Sequence, residues 1–270
     1  MSKKVVLVGC GNMGYAMLEG WLKTGRMKPS DVVVVEPADA LRVRAATLGC
    51  MALAMAAELP VTTAPTLVIF AVKPQVIREV AAEYRSFAGG RTAFLSVAAG
   101  TQIATFEKIL GTDVPIVRCM PNTPAAIGKG MMVVVGNGKV SDDTMTFVTE
   151  LLSASGRVAL IDDEGLMDAV TAVSGSGPAY IFHFIECLTA AARAAGLPDD
   201  IAALLAMQTV YGAACLAAES GEDPAVLRRH VTSPNGTTAA ALEVLMGGDR
   251  LKSLLTEAVE AARRRSVELG

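Results

Sequence analysis

A glycine-rich turn lies close to the start of the chain, between an apolar run and a helical pattern. Residues 4–8 are typical of a β-strand, and residues 15–24 are typical of a helix. In such a turn the first glycine permits a tight bend, the second lets a diphosphate approach the backbone, and the third lets the helix lie close to the strand. Free N–H groups at the start of the helix attract the diphosphate. We therefore predict contacts to a dinucleotide from Gly9, Gly11, Asn12, Met13 and Gly14, with a turn that binds no ligand as the alternative.

Short runs rich in β-branched residues alternate with helical stretches over the first part of the chain. They cover residues 4–8, 31–36, 67–72, 92–97, 115–119, 131–135 and 157–161. Several runs are apolar at consecutive positions, as strands covered by helices on both faces require. This alternation predicts an α/β fold with a Rossmann-type, doubly wound parallel sheet. We place this dinucleotide-binding domain at residues 1–163.

Alanine and leucine dominate the chain beyond residue 163, as in residues 187–196, 201–219 and 251–267. Alanine is the strongest helix former, so we predict an all-α domain at residues 164–270. Its helices are apolar over much of their circumference. We therefore expect a homo-oligomer built on a dimer, in which a second subunit covers some helix faces. Helices buried entirely inside one chain are the alternative.

The composition argues against several classes of partner. The formal net charge is −3 and the basic residues are scattered, so we expect no nucleic-acid partner. The apolar run that ends at Gly9 is too short for a signal peptide, and no uninterrupted apolar stretch reaches the roughly 18 residues of a membrane span. Five cysteines and two histidines show no metal-ligand spacing. These features predict a cytoplasmic protein with reduced thiols, no membrane partner and no metal.

Three strand ends lie where the rest of a dinucleotide would bind, because ligands of open α/β sheets sit beyond the carboxyl ends of strands. Glu36 ends the second strand, where it would bind the adenosine ribose and favour NADH, whereas the nearby Arg42 and Arg44 would suit the extra phosphate of NADPH. A solvated carboxylate is equally compatible. The later strand ends supply the remaining predicted cofactor contacts, Ala71, Val72, Lys73, Pro74, Val97, Ala98 and Ala99. A lysine–proline pair that merely ends a strand is the alternative there.

Two hydroxyl-rich segments, residues 172–180 and 231–242, each open a helix in the second half of the chain. Small residues and hydroxyls at a helix start can hold an anion, although each segment alone is also compatible with a plain helix cap. Together they predict a pocket for a small carboxylate.

These segments complete a set of motifs by which the whole chain resembles the pyrroline-5-carboxylate reductase family. The motifs are VGCGNMG at 8–14, AVKP at 71–74, RCMPNTP at 118–124, SGSGPAY at 174–180, AGLP at 195–198, QTV at 208–210 and the loop at 231–242. Two positions depart from the family pattern. Asn235 stands where glycine is frequent, and Glu36 stands where a phosphate-binding serine or threonine occurs, which leaves the choice of cofactor open.

The resemblance implies that NADPH or NADH reduces 1-pyrroline-5-carboxylate to L-proline, the last step of proline biosynthesis. It implies that Thr238 hydrogen-bonds the ring nitrogen as the catalytic residue. It also implies that Ser233, Gly236 and Thr237 hold the substrate carboxylate, with Ser176 nearby. The α domain would be a dimerisation domain, so the active site would draw on both subunits.

The available side chains suit an imine as substrate. An imine can enter already protonated and becomes a neutral amine on hydride transfer, so the site mainly has to align the reactants. A β-hydroxyacid dehydrogenase, the main alternative, needs a lysine in the α domain, and no lysine occurs between Lys139 and Lys252. A non-catalytic dinucleotide-sensing dimer is the second alternative.

Overall fold

The computed structural model describes residues 4–270 and forms two compact units. Among the described residues, the first unit comprises residues 4–176 together with Ala262–Gly270, and the second comprises Gly177–Ala261. The first unit contains an eight-stranded sheet with strand order β3-β2-β1-β4-β5-β6-β7-β8. Its strands are β1 (Val5–Val8), β2 (Val32–Val35), β3 (Met51–Leu53), β4 (Leu67–Phe70), β5 (Ala93–Ser96), β6 (Ile116–Met120), β7 (Gly130–Gly136) and β8 (Gly156–Leu160).

Helices cover both faces of the sheet, which confirms the α/β prediction. They are α1 (Asn12–Lys23), α2 (Asp39–Ala46), α3 (Ile77–Glu83), α4 (Ile103–Leu110), α5 (Asp142–Leu152) and α6 (Met167–Val170). One core lies on the side of α1 and α5, with Trp21 and Val148 fully buried. The other lies on the side of α3 and α4, where Tyr84 and Phe106 are buried. Residues at consecutive strand positions therefore fill two cores, as their apolar runs required.

The sheet departs from the predicted one in two places. β7 pairs antiparallel with β6, whereas an all-parallel sheet was expected. Only a short loop with a 3-10 turn (Thr123–Ile127) joins these strands, and a parallel crossover needs a dozen or more residues. β3 was not predicted at all. It is a three-residue edge strand that pairs only with β2 and contains no β-branched residue, so it leaves little pattern in the sequence.

The compact unit around the sheet extends beyond the predicted domain boundary at residue 163. Met167 of α6 is buried against the sheet, and a π-helical turn (Thr171–Gly175) follows with Ala172 fully buried. The first unit also takes in the last nine residues of the chain. There the Ser266 hydroxyl donates to the Asp168 carboxylate across 2.6 Å.

The second unit is all-α, as expected. It contains α7 (Gly177–Ala194), α8 (Asp199–Glu219), α9 (Pro224–His230), α10 (Thr237–Met246) and the first part of α11 (Arg250–Leu269). In α7 to α10 the described structure buries only Ala202 and Ala206, while large apolar side chains remain exposed. They include Phe182, Phe184, Leu204, Met207, Tyr211, Leu216, Val244 and Met246.

Helix α8 has the length and apolar composition of a membrane span, although the sequence was not expected to contain one. This is weak evidence, because length and composition alone do not distinguish a membrane span from an apolar helix covered by protein. The helix begins with Asp199 and Asp200 and ends at Glu219.

Candidate active site

The three glycines of the first turn have different surroundings. Gly9 has φ +88, and a Cβ there would approach the Ala71 carbonyl oxygen to 2.7 Å. A Cβ on Gly14 would collide with the Gly9 carbonyl oxygen. At Gly11 the backbone φ is −63, and a Cβ would have no heavy-atom neighbour within 4 Å in the described part of the chain. Gly9 and Gly14 thus maintain the turn itself, whereas Gly11 faces open space.

The sheet topology brings the predicted cofactor residues to one edge. β2, β1, β4 and β5 are adjacent and parallel, so their carboxyl ends lie side by side. Glu36 follows β2, the glycine turn follows β1, residues 71–74 follow β4, and residues 97–99 follow β5. The chain passes from β1 to β2 on one side and from β4 to β5 on the other, so the strand order reverses between β1 and β4. Ligands of open α/β sheets usually bind in the crevice at such a reversal.

The residues at this edge differ in exposure. Lys73 and Pro74 are exposed, Val72 and Val97 are half-buried, and Ala98 is buried. The Ala98 N–H donates to the Ser96 hydroxyl across 3.2 Å, which fixes the turn after β5. Lys73 is thus free to meet a ligand, while Ala98 shapes the backbone.

Glu36 does not have the solvated carboxylate that was one of the interpretations of the sequence. It is 6% exposed, and its carboxylate accepts the Cys10 N–H at 2.7 Å and the Ala38 N–H at 2.9 Å. Arg44 donates to the Cys10 carbonyl oxygen at 3.2 Å, and its guanidinium carbon lies 3.9 Å from the Tyr15 ring centre. Arg42 donates to the Glu36 and Pro37 carbonyl oxygens. Glu36 and Arg44 are therefore bonded to the backbone of the glycine turn, and Arg42 is bonded to the backbone at Glu36.

A cavity of 420 Å³ adjoins the glycine turn. Its lining includes Asn12, Met13, Tyr15, Arg44 and Thr123. Among the described residues, the Arg44 Nε is buried without a hydrogen-bond partner. The first turn of α1 has no acidic side chain, so its free N–H groups present a positive end to this region. Open space at Gly11 and a helix N-terminus fit the diphosphate of a dinucleotide.

Asn122, which was not among the predicted site residues, joins two segments near Ser176. Its Nδ2 donates to the Ser174 carbonyl oxygen at 3.2 Å, and its Oδ1 accepts the Met131 N–H at 2.8 Å. It thereby ties the segment that precedes Ser176 to the start of β7. The Ser176 N–H donates to the Thr171 carbonyl oxygen at 2.8 Å, and Ser176 itself is half-buried. Asn122 belongs to the motif at 118–124, and this motif was the feature of the sequence that could have indicated its importance.

The loop before α10 contains a residue in the left-handed conformation. Asn235 adopts φ +58, a left-handed conformation that asparagine tolerates well. The Gly236 N–H donates to the Ser233 carbonyl oxygen at 3.1 Å, and a Cβ on Gly236 would collide with the Ser233 hydroxyl. Helix α10 begins at Thr237, so the first N–H groups of its ten residues point out of the helix end. Ser233 and Thr237 are exposed and Thr238 is half-buried.

The thiols and imidazoles offer no alternative chemistry at the sheet edge. Burial raises the pKa of the Cys10 thiol to about 11, with the Glu36 charge adding to the rise and Arg44 opposing it. His183 is exposed in the single chain, and its Nδ1 lies 3.0 Å from the Glu186 carboxylate. Within residues 4–270 no cluster of three or more His, Cys, Asp or Glu side chains is arranged to hold a metal ion.

Two family models match the chain. Residues 4–100 match the family described as NADP oxidoreductase coenzyme F420-dependent. Residues 164–269 match the family described as pyrroline-5-carboxylate reductase dimerisation.

Individual relatives match over nearly the full length. A pyrroline-5-carboxylate reductase from Pseudomonas aeruginosa is 37% identical over 266 residues, covering 98% of this chain and 96% of the relative. The chain belongs to the pyrroline-5-carboxylate reductase family. A solved pyrroline-5-carboxylate reductase from Coxiella burnetii has a TM-score of 0.94 at 32% identity, covering 100% of this chain and 99% of that one. The pyrroline carboxylate reductase of Plasmodium falciparum, solved with NADP bound, has a TM-score of 0.84 at 27% identity, covering 99% of this chain and 98% of that one.

Membership of the pyrroline-5-carboxylate reductase family confirms the resemblance and the fold class predicted from the sequence. It also accounts for the second unit, because the matched helical part is a dimerisation domain. The apolar side chains that one protomer leaves exposed on α7, α8 and α10 are then surfaces for association with another copy.

Proposed function

We propose that this protein reduces the C=N bond of 1-pyrroline-5-carboxylate with NADPH or NADH and so forms L-proline, the last step of proline biosynthesis. The observation that supports this proposal most is the match to pyrroline-5-carboxylate reductases over nearly the whole chain. The glycine turn and the loop before α10 supply the two sets of groups that the reaction needs.

For the cofactor, we propose Gly9, Gly11, Asn12, Met13 and Gly14 at the diphosphate. Glu36 and residues 71–74 would lie towards the ribose groups, and Val97, Ala98 and Ala99 towards the nicotinamide. When bound, the nicotinamide supplies a hydride from its C4 atom. Open space beside Gly11 and the N–H groups at the start of α1 support the diphosphate assignment.

For the substrate, we propose that the carboxylate binds at the N-terminus of α10, against Ser233, Gly236 and Thr237, with Ser176 nearby. Exposed hydroxyls and N–H groups at a helix start suit a carboxylate. The Thr238 hydroxyl would hydrogen-bond the ring nitrogen. It would orient the imine and help hold its proton while the carbon accepts hydride. A protonated imine needs no stronger acid, since hydride transfer neutralises it.

The remaining parts of the proposal concern organisation. We propose a homo-oligomer built on a dimer, cytoplasmic, without nucleic-acid or membrane partners. Residues 1–163 would act as the dinucleotide domain and residues 164–270 as the dimerisation and substrate domain. The apolar surface of α8 would then be covered by the second copy rather than by lipid.

The direct test mixes purified protein with NADH or NADPH and 1-pyrroline-5-carboxylate and follows the nicotinamide absorbance. Chiral chromatography of the product should show L-proline, formed in equal amount to the oxidised cofactor. Omitting the imine gives the background rate. Cofactor binding without oxidation would instead support a dinucleotide-sensing dimer.

A further inference from the structure

The backbone of Cys10, in the middle of the glycine turn, is held by two side chains of opposite charge. Its N–H donates to the Glu36 carboxylate at 2.7 Å, and its carbonyl oxygen accepts from Arg44 at 3.2 Å. Cys10 itself is fully buried. A turn that must present its N–H groups to a diphosphate gains from being fixed in advance, because the ordering cost is then met before binding.

Each holding side chain is itself fixed. The second Glu36 oxygen accepts the Ala38 N–H at 2.9 Å, and Arg42 donates to the Glu36 carbonyl oxygen. The Arg44 guanidinium lies over the Tyr15 ring, one turn into α1. The end of β2, the turn after β1 and helix α2 are thus joined through Cys10. Such fixed charged groups can position a backbone segment more strictly than loop packing alone.

We propose that Glu36 and Arg44 are positioning residues that hold the glycine turn in its cofactor-binding conformation. The expected effect on cofactor affinity rests on the proposed function, whereas the effect on the turn is present in the cofactor-free protein. It applies equally to NADH and NADPH, because both contain the same diphosphate. The charge of Glu36 has a separate effect on NADPH alone, through repulsion of the additional phosphate.

The first measurement is hydrogen–deuterium exchange of the peptide at residues 7–14 in the cofactor-free protein. Glu36→Ser and Arg44→Met should each speed exchange there by about tenfold, as expected when a charge-assisted hydrogen bond is lost. Asp39→Asn is the matched control, because it removes a carboxylate from the same segment, one that is 89% exposed and contacts Arg42 rather than the turn. If Glu36→Ser does not fold, Glu36→Gln keeps the shape and one acceptor oxygen. Unchanged exchange in the variants that fold would overturn the proposal.

The second measurement is the Kd of each cofactor without substrate. Arg44→Met should weaken NADH and NADPH by the same factor, several-fold or more. Glu36→Ser should weaken NADH by about tenfold. Selective loss of NADPH in Arg44→Met would mean that Arg44 binds the additional phosphate, and unchanged NADH affinity in Glu36→Ser would show that the carboxylate is dispensable to the turn. If the wild type binds neither cofactor, the proposed function fails, and the exchange measurement alone decides the positioning role.

Discussion

Replacing Gly11 by valine should separate cofactor binding from folding. The backbone at Gly11 has φ −63, which any L-residue adopts, and a new Cβ would meet open space in the described structure. We therefore expect the free energy of unfolding of the cofactor-free protein to change by no more than about 0.5 kcal/mol, as for an ordinary surface substitution. The valine would instead occupy the space through which a diphosphate reaches the N–H groups of α1.

The expected loss of affinity follows from those N–H groups. Two charge-assisted hydrogen bonds of roughly 1.5 kcal/mol each total about 3 kcal/mol, which is about a 150-fold increase in Kd. Titration of the fluorescence of Trp21, which is the single tryptophan and is buried in α1, provides the assay.

Gly14→Ala is the matched comparison. Its Cβ would collide with the Gly9 carbonyl oxygen, so it should lower stability by roughly 1–3 kcal/mol, or Tm by on the order of 5 °C. Normal cofactor affinity in Gly11→Val, or a melting temperature as low as that of Gly14→Ala, would refute the assignment of Gly11.

Three further predictions concern the other parts of the molecule. Thr238→Ala should lower kcat/KM by about ten- to a hundredfold with little change in cofactor Kd, and Thr238→Ser should restore most of it; equal activity in all three proteins would reject the catalytic role. Phe182→Glu, on exposed α7, should shift the oligomer towards monomer in light scattering, whereas Val61→Glu, at a fully exposed position of the first unit, should not. Because burial raises the pKa of the Cys10 thiol to about 11, this thiol stays protonated at neutral pH, and iodoacetamide should label it only after denaturation; labelling of Cys10 in the folded protein, read by mass spectrometry, would contradict the burial.

Most of the fold could be predicted from local pattern, because strands buried on both faces are apolar at nearly every position. Each of the seven predicted runs overlaps a strand. The pattern carries less information about strand direction and edges. β7 looks like any other buried strand, and its antiparallel pairing follows from the short connection after β6. β3 lies at the edge, and its three residues are apolar but not β-branched, so the pattern that marks the other strands is missing there.

The local structure of the candidate site was predictable where it depends on consecutive residues, as in the strand, glycine turn and helix at residues 5–23. It was less predictable where distant residues meet. Asn122 bonds Ser174, 52 positions away, and no local pattern indicates that pairing. The environment of Glu36 was also hidden, since a carboxylate at a strand end has the same sequence whether it faces water or accepts the Cys10 N–H.

The final nine residues lie with the sheet-containing unit rather than with the helices that precede them in the chain. A ribosome therefore releases the final piece of this unit only after the whole helical unit has been synthesised. The first 176 residues alone would lack the Ser266 hydroxyl that bonds Asp168. We expect a fragment ending there to be less stable than the full chain, so one cut in the gene does not yield the complete sheet-containing unit.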